Sequence, residues 1–324
     1  MLTPLTPLTP LTRLTPLTRF TLGARARNGV TLIELIVAMV VAAVVLSLVA
    51  SISVRQQRMY SDLADAGALS GQLHDASAIL PIDLRGLAPG TGDIHNGEAS
   101  DTAIEIRATI ASAIVCDTVA SRLVLAPSGA GAGAFASYLA GIGVGDTAWI
   151  YSARDTADEW RPFRVGSVGS AAGGPCGALG PKLSSADRSL SRVTVGLDAS
   201  PPPLEIVGAP IRFTRPLRYS LYRAADGAWY VGAHQWNVSG NRFNTIQPVA
   251  GPFLSPSLGG ATFQYFDTLG GLLATPLTDG RAVSLITVNL RGETKGVVRE
   301  VSAATSPAKR SDSLSLVVLL HNRR

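Results

Sequence analysis

An almost unbroken apolar run from Val30 to Val54 restricts what this chain can fold into more than any other feature. The only interruptions are Thr31, Glu34, Ser47, Ser51 and Ser53. As a helix the run would be about 37 Å long, enough to cross a bilayer core of about 30 Å. The residues before it include no acid and four basic residues, Arg13, Arg19, Arg25 and Arg27. The positive-inside rule therefore predicts a cytoplasmic N-terminus, with the rest of the chain across the membrane.

The basic balance of the chain comes largely from this N-terminal segment. The sequence has 28 basic and 23 acidic residues, and without the four arginines the numbers are 24 and 23. A nucleic-acid-binding surface requires positive charge concentrated on a folded domain. The composition does not support such a surface, and we predict no specific nucleic-acid partner.

Three interpretations fit the apolar run. A secretory signal peptide has a shorter apolar region, about 7–15 residues, followed by a small-x-small cleavage site. Here the best site of that kind, Val49–Ser51, is poor. A plain membrane anchor fits the length but leaves Glu34 unexplained, because a carboxylate is costly inside a membrane helix. The third interpretation places a cleavage before the run, after Gly29.

The stretch "GVTLIELIVAMVVAAVVL" resembles the class III leader of type IV pilins and type II secretion pseudopilins. In that family a prepilin peptidase cleaves after the glycine, here Gly29, and N-methylates the new first residue, here Val30. The fifth mature residue is a glutamate, which corresponds to Glu34. Two features differ: Val30 replaces the commoner phenylalanine, and the leader, with its low-complexity "LTPLTPLTP" repeats, is long. The resemblance implies that residues 1–29 are a removed leader.

The same resemblance implies a role for Glu34 in assembly. In a filament of staggered helices, the acid can meet the new α-amino group of a neighbouring subunit, and this pairing offsets the cost of the buried charge. Before assembly it could pair with the amine of its own chain or be protonated. The alternative is an acid that extends to the cytoplasmic interface, since it lies near the helix end. The implied partners are the prepilin peptidase, other pilins or pseudopilins and an inner-membrane assembly platform.

A helical pattern continues past the apolar run. Small or apolar residues recur at three- and four-residue steps, at Met59, Leu63, Ala66, Leu69 or Ser70, Leu73, Ala76 and Leu80. Pro81 is expected to stop the helix. We therefore predict a transmembrane helix at 30–54 that continues as an amphipathic helix at 55–80. Its apolar stripe would pack on the chain's own sheet, on a partner helix, or on both.

The sequence pattern of residues 81–324 predicts a β-rich head, which the orientation above would place in the periplasm. Short alternating runs are separated by glycine and proline, and Asp226-Gly227 marks the clearest hairpin turn. One helix followed by antiparallel strands predicts an α+β fold of the pilin-like kind. The final strands at Tyr219–Arg223, Phe263–Gly270, Val283–Arg291 and Leu314–Arg323 are most similar to those of PilW-type minor pilins and the related pseudopilin J.

The two cysteines, Cys116 and Cys176, are too few and too far apart for a metal site of their own. If the head lies in an oxidising compartment, a disulfide closing a loop of about 60 residues would contribute roughly 4 kcal/mol. The alternative is two buried free thiols.

The sequence contains no convincing catalytic, cofactor or metal motif, and we predict that the chain is not an enzyme. "SPAK" at Ser306–Lys309 matches Ser-x-x-Lys without a partner motif, and "DTADE" at Asp155–Glu159 lacks the glycine and terminal glutamate of a calcium loop. The leading hypothesis is a minor pilin or pseudopilin of a type IV pilus or type II secretion filament. The alternative is a membrane-anchored binding protein for DNA or a surface ligand. An anchored hydrolase would need a set of catalytic residues that the sequence lacks.

Overall fold

The computed structural model describes residues 31–119, 122–128, 135–154, 157–174, 176–177, 183–199, 206–297 and 309–320. Gly29, Val30 and the rest of the predicted leader lie outside these ranges. The chain divides into two compact units, the first ending at Met59 and the second beginning at Tyr60. Helix α1 (Leu32–Arg85) contributes to both.

In the first unit, α1 carries the apolar run. Neither glycine nor proline occurs between Thr31 and Ala66, so nothing in the sequence breaks the helix there. Every described residue of this unit is exposed, and the large apolar side chains are 44–78 % exposed from Leu32 to Val54. The helix is long and apolar enough to cross a membrane, where its backbone groups would all be satisfied within the helix.

In the second unit, the rest of α1 forms one side of the main core. Its buried side chains follow the spacing of one helix face, at Leu69, Leu73, Ala76, Leu80 and Leu84. The same core contains apolar residues from both sheets described below. Gly292 approaches the helix so closely that a Cβ atom there would lie 2.6 Å from Leu69 Cδ1. The predicted stripe therefore packs on the chain's own head from Leu69 onward, whereas Leu63 is exposed.

The expected end of the helix at Pro81 is wrong, because α1 continues to Arg85 with Pro81 inside it. A proline in a helix interior removes one hydrogen bond and costs about 3 kcal/mol. Here Pro81 is itself buried, and the turn that follows it buries Leu84. Packing of this last turn against the sheets offsets the lost hydrogen bond.

Ten strands form one sheet, and six of them close on themselves. The strands are β1 (Ala103–Val119), β2 (Arg122–Leu125), β3 (Ala136–Tyr138), β4 (Thr147–Arg154), β5 (Ala157–Ala171), β6 (Arg192–Leu197), β7 (Pro210–Arg223), β8 (Trp229–Asn237), β9 (Arg242–Phe243) and β10 (Gln247–Phe253). Because β7 pairs with both β4 and β1, the order β7-β4-β5-β6-β2-β1 returns to its start. All these pairings are antiparallel.

A β-bulge lets β1 serve two cores. The pairing of β1 with β7 shifts register between Thr109 and Ala111. Before this point Ile104 and Ile106 face the helix core, and after it Ala111 and Val115 face a second core enclosed by the six closed strands. A bulge inserts one residue and so re-aims the side chains that follow it.

The last three of the four final strands named above form a separate antiparallel sheet in the order β11-β12-β13. They are β11 (Ala261–Phe266), β12 (Leu285–Glu293) and β13 (Ser311–Leu319). Its inner face joins the helix core through residues such as Phe263, Tyr265 and Val318. The α+β prediction is therefore confirmed: a long N-terminal helix precedes an antiparallel β-rich head.

The head also contains a one-turn helix, α2 (Ser185–Ser189). The predicted hairpin is present, with Gly227 at a positive φ of 83° between β7 and β8. The carboxylate of Asp226 accepts hydrogen bonds from the Ala228 N–H and the Tyr230 hydroxyl. These bonds fix the turn that joins the two strands.

We predict that Leu80→Ala lowers the free energy of unfolding of the head by about 2–5 kcal/mol, because it leaves a cavity in the helix core. Ile82→Ala is the matched control, since that side chain is two residues away and 66 % exposed. The control should change stability by about 0.5 kcal/mol or less. Denaturant unfolding of the full chain in detergent measures both, and equal effects would contradict the packing described.

Candidate processing and assembly site

The first turn of α1 contains a reciprocal capping arrangement around Glu34. The Thr31 N–H and the Thr31 hydroxyl each donate to Glu34 Oε2 at 3.0 Å, and the Glu34 N–H donates to Thr31 Oγ1 at 3.3 Å. This is a capping box, in which two backbone donors that the helix leaves unpaired are satisfied by side chains. A negative charge in this turn also suits the helix dipole.

The cap supplies a local reason for Glu34 that the sequence reasoning missed. The spacing Thr31-x-x-Glu34 is the sequence signature of a capping box, so the signal was present. The membrane cost of a carboxylate explains Glu34 only as a charge and does not indicate this hydrogen bonding. The structure brings Glu34 to Thr31, whereas the predicted processing residues Gly29 and Val30 lie outside the described residues.

The surface that follows the cap is apolar and uncovered. Between the cap and Val54 the large apolar side chains of α1 are about half exposed or more. Removing each such side chain from water contributes about 1.5–3 kcal/mol. This half of the helix therefore favours an environment of lipid or of other apolar helices.

The two cysteines lie at the end of β1 and in the segment before α2. The structure joins Cys116 to Cys176 by a disulfide with a Cα–Cα distance of 4.7 Å. Both residues are fully buried, in a small cluster with Val124, Ala126 and Leu183. The bridge therefore joins β1 to the segment before α2 within the head.

Arg212 and Asp93 form a buried ion pair in the head. Arg212 binds Asp93 with both terminal nitrogens, at 2.8 and 3.2 Å, and its guanidinium lies over the rings of Trp149 and Trp160. Asp93 also accepts the Ala88 N–H at 2.8 Å. The oxygens of Asp93 therefore accept hydrogen bonds from within the head. These bonds hold the segment after α1 against the sheet.

Other titratable groups have structural partners as well. His95 lies 2.7 Å from Glu105 through Nδ1. The hydroxyl of Tyr219 donates to Asp83 of α1 at 2.6 Å, and burial, followed by the nearby carboxylate, raises the pKa of this tyrosine. Tyr138 differs, because its buried hydroxyl has no hydrogen-bond partner among the described residues, and burial raises its pKa to about 12. Among the described residues no group of three or more His, Cys, Asp or Glu could hold a metal ion.

The weaker sequence matches receive no support. Ser306 and most of the "SPAK" stretch lie outside the described residues, as does the start of "DTADE". Within that acidic stretch, Glu159 pairs with Arg161 on β5. The four tryptophans lie on strands, at Trp149, Trp160, Trp229 and Trp236.

Comparison with known families identifies the N-terminal segment. The family model for the prokaryotic N-terminal methylation motif matches residues 24–50. The chain carries a prepilin-type motif. Searches among curated proteins and among solved structures found no match. The matched range covers the predicted cleavage position, the capped turn and most of the apolar run.

The motif supports a protein of the type IV pilin-like kind and indicates a processed subunit. It is found in structural proteins, which indirectly supports the prediction of a non-enzyme. Together with the apolar helix it suggests membrane anchoring. The match ends at residue 50 and is independent of the architecture of the head.

We predict that replacing both Cys116 and Cys176 by alanine lowers the free energy of unfolding by about 2–5 kcal/mol. The cause is the greater freedom of the unfolded chain once the loop is open. Unfolding of the full chain in detergent, with and without a reductant, measures this. The reductant should destabilise the unaltered protein and leave the double variant unchanged, and an equal effect on both would contradict the bridge.

Proposed function

We infer that this chain is a minor pilin or pseudopilin, a subunit of a type IV pilus or type II secretion filament. A prepilin peptidase cleaves between Gly29 and Val30 and methylates Val30. Residues 30–54 then anchor the subunit in the inner membrane with its N-terminus in the cytoplasm, while residues 81–324 form a periplasmic head. The observation that carries this proposal is the match of residues 24–50 to the methylation motif.

The geometry of α1 supports assembly through the helix. A chain that exposes an apolar helix of this length must bury it against something else. In the membrane lipid covers it, and in a filament the same helices of neighbouring subunits replace the lipid. The β-rich head has its own cores and can remain folded during this transfer. Its strand order along the sequence is most similar to the PilW type.

Glu34 has two roles in this proposal, which act at different stages. Before assembly its carboxylate caps α1 through Thr31. During assembly it turns to the methylated α-amino group of an adjacent subunit, and the attraction within this ion pair offsets the cost of holding both charges in a low-dielectric surrounding. The cap keeps the acid ordered and hydrogen-bonded until the partner amine arrives.

The cleavage position can be tested directly. We predict that Gly29→Val abolishes processing, so that mass spectrometry of the protein from its native membrane shows the intact leader. The matched control is Gly23→Val, a glycine inside the leader, which should leave a mature chain starting at N-methylated Val30. A mature start at another residue would refute the processing step.

A second prediction separates the two roles of Glu34. Glu34→Gln keeps the capping box, since glutamine serves at this position as well as glutamate, but removes the charge. We expect normal processing and about tenfold or greater loss of incorporation into filaments, because the neighbour's amine is left unpaired.

Thr31→Val is the complementary control for this experiment. It removes the threonine hydroxyl from the cap and keeps the charge of Glu34, so incorporation should fall by less than in Glu34→Gln. Immunoblotting of sheared filaments and of membranes measures both. Normal incorporation of Glu34→Gln, with loss in Thr31→Val, would assign Glu34 to capping alone.

A further inference from the structure

Strand β13 has an open side in the three-stranded sheet. Its register with β12 is regular over its whole length, from Ser311 opposite Glu293 to Leu319 opposite Leu285. The hydrogen bonds that continue this ladder, Leu320 N–H to Ser284 O and Thr294 N–H to Arg310 O, place the even-numbered residues of β13 on the β12 side. The N–H and C=O groups of the odd-numbered residues from 313 to 319 therefore point to the other side. No strand pairs with that side among the described residues.

The other sheet edges of this head are protected. The outer edge of β11 is covered by its own chain, since the Leu273 N–H donates to Tyr265 O. Strand β10 carries Pro248 and Pro252, while β3 and β9 span three and two residues. Prolines, short length and coverage are the usual means by which proteins prevent strand addition.

Strand β13 is protected only at its start, where Asp312 is charged and its Oδ1 accepts the Ser313 N–H at 2.8 Å. It spans nine residues, and from Ser313 to Leu320 it contains no charged residue and no proline. Natural edge strands of this length normally carry a lysine, a proline or a bulge. An unprotected edge of this kind is the structural requirement for adding a strand from another chain.

The exposed side chains of the three-stranded sheet determine which side chains an added strand would need. On the outer face, an apolar row crosses the sheet through paired residues, from Leu272 to Phe266, Leu285 and Leu319. Leu319 is 56 % exposed and the neighbouring Val317 is 58 % exposed, so the row ends at the open edge. A strand added there would continue it with its own apolar side chains.

The opposite end of the edge is polar and carries both signs of charge, with Arg291 on β12 and Asp312 on β13. Arg291 lies beside Ser313 on the same outer face, is exposed, and has no ion pair among the residues described. The nearby Glu293 is already paired with Lys309 at 2.7 Å. A carboxylate on the added strand would find a free cation at this position.

We propose that β13 is a docking edge for an extended segment of a different polypeptide. The segment forms a fourth strand next to β13, carries apolar residues opposite Val317 and Leu319, and carries an acid opposite Ser313 near Arg291. Backbone hydrogen bonds to Ser315, Val317 and Leu319 provide its affinity, and the side-chain pattern selects its direction. The proposal stands whether or not the chain assembles into a filament.

The test uses the full chain in detergent and a capped peptide of the sequence Val-Thr-Val-Thr-Thr-Thr-Glu. In antiparallel pairing its first and third residues face Leu319 and Val317, and its glutamate faces Ser313. We expect the peptide to slow amide hydrogen exchange at Ser315 and Val317. At about 1 mM peptide, exchange at these amides should slow about tenfold if the Kd is about 0.1 mM. The same peptide N-methylated at alternate residues lacks the donors and should have no effect.

Two pairs of variants complete the test. Ser315→Pro removes one edge-facing N–H and should abolish the slowing, whereas Ser315→Ala should retain it. Val317→Lys should abolish it and Val317→Thr retain it. The amides of Leu316 and Val318, which bond to β12, report whether each variant is folded.

Three results would overturn the proposal. The first is no slowing at about 1 mM peptide in the unaltered chain. The second is slowing that persists in both Ser315→Pro and Val317→Lys while their β12-facing amides remain protected. The third is protection of Ser315 and Val317 without peptide that rises with protein concentration, because the edge would then bind a second copy of this chain.

Discussion

The exposed apolar half of α1 is the constraint on which the rest of the molecule depends. A protein of this size could bury a helix of that length inside its own head, yet the described residues from Thr31 to Met59 are all exposed. The hydrophobic effect has no directional preference, so lipid and neighbouring helices cover this surface equally well. The capping box at Thr31 and Glu34 gives the surface a defined beginning.

The head is built so that it does not need this half of the helix. From Leu69 onward α1 turns its apolar side chains to two sheets, and the closed ring of six strands adds a second core without the helix. The bulge after Thr109 lets one long strand, β1, serve both cores. The hydrogen bond from the Tyr219 hydroxyl on β7 to Asp83 on α1 holds the last turns of the helix against the sheet.

The sequence predicted best those features that follow from a repeating apolar pattern or from a residue type with a specific local role. The apolar run, the stripe from Leu69 to Leu80 and the Asp226-Gly227 turn each depend on local residues and could be predicted. The continuation of α1 through Pro81 could not, because it depends on tertiary burial of Leu84. The ring of strands depends on the pairing of β7 with β1, which are far apart in the chain. At the candidate site the glutamate was found, but its partner Thr31 was not.

The open edge of β13 differs from the apolar helix in the kind of partner that it can accept. Apolar side chains on a helix tolerate many neighbours, whereas unpaired N–H and C=O groups at a fixed spacing accept only another strand in register. The first surface can therefore hold a subunit among many similar helices, and the second can select one partner. If the chain is a minor subunit as proposed, it needs such selection. The strand edge provides it next to an apolar row and Arg291, which has no ion pair among the described residues.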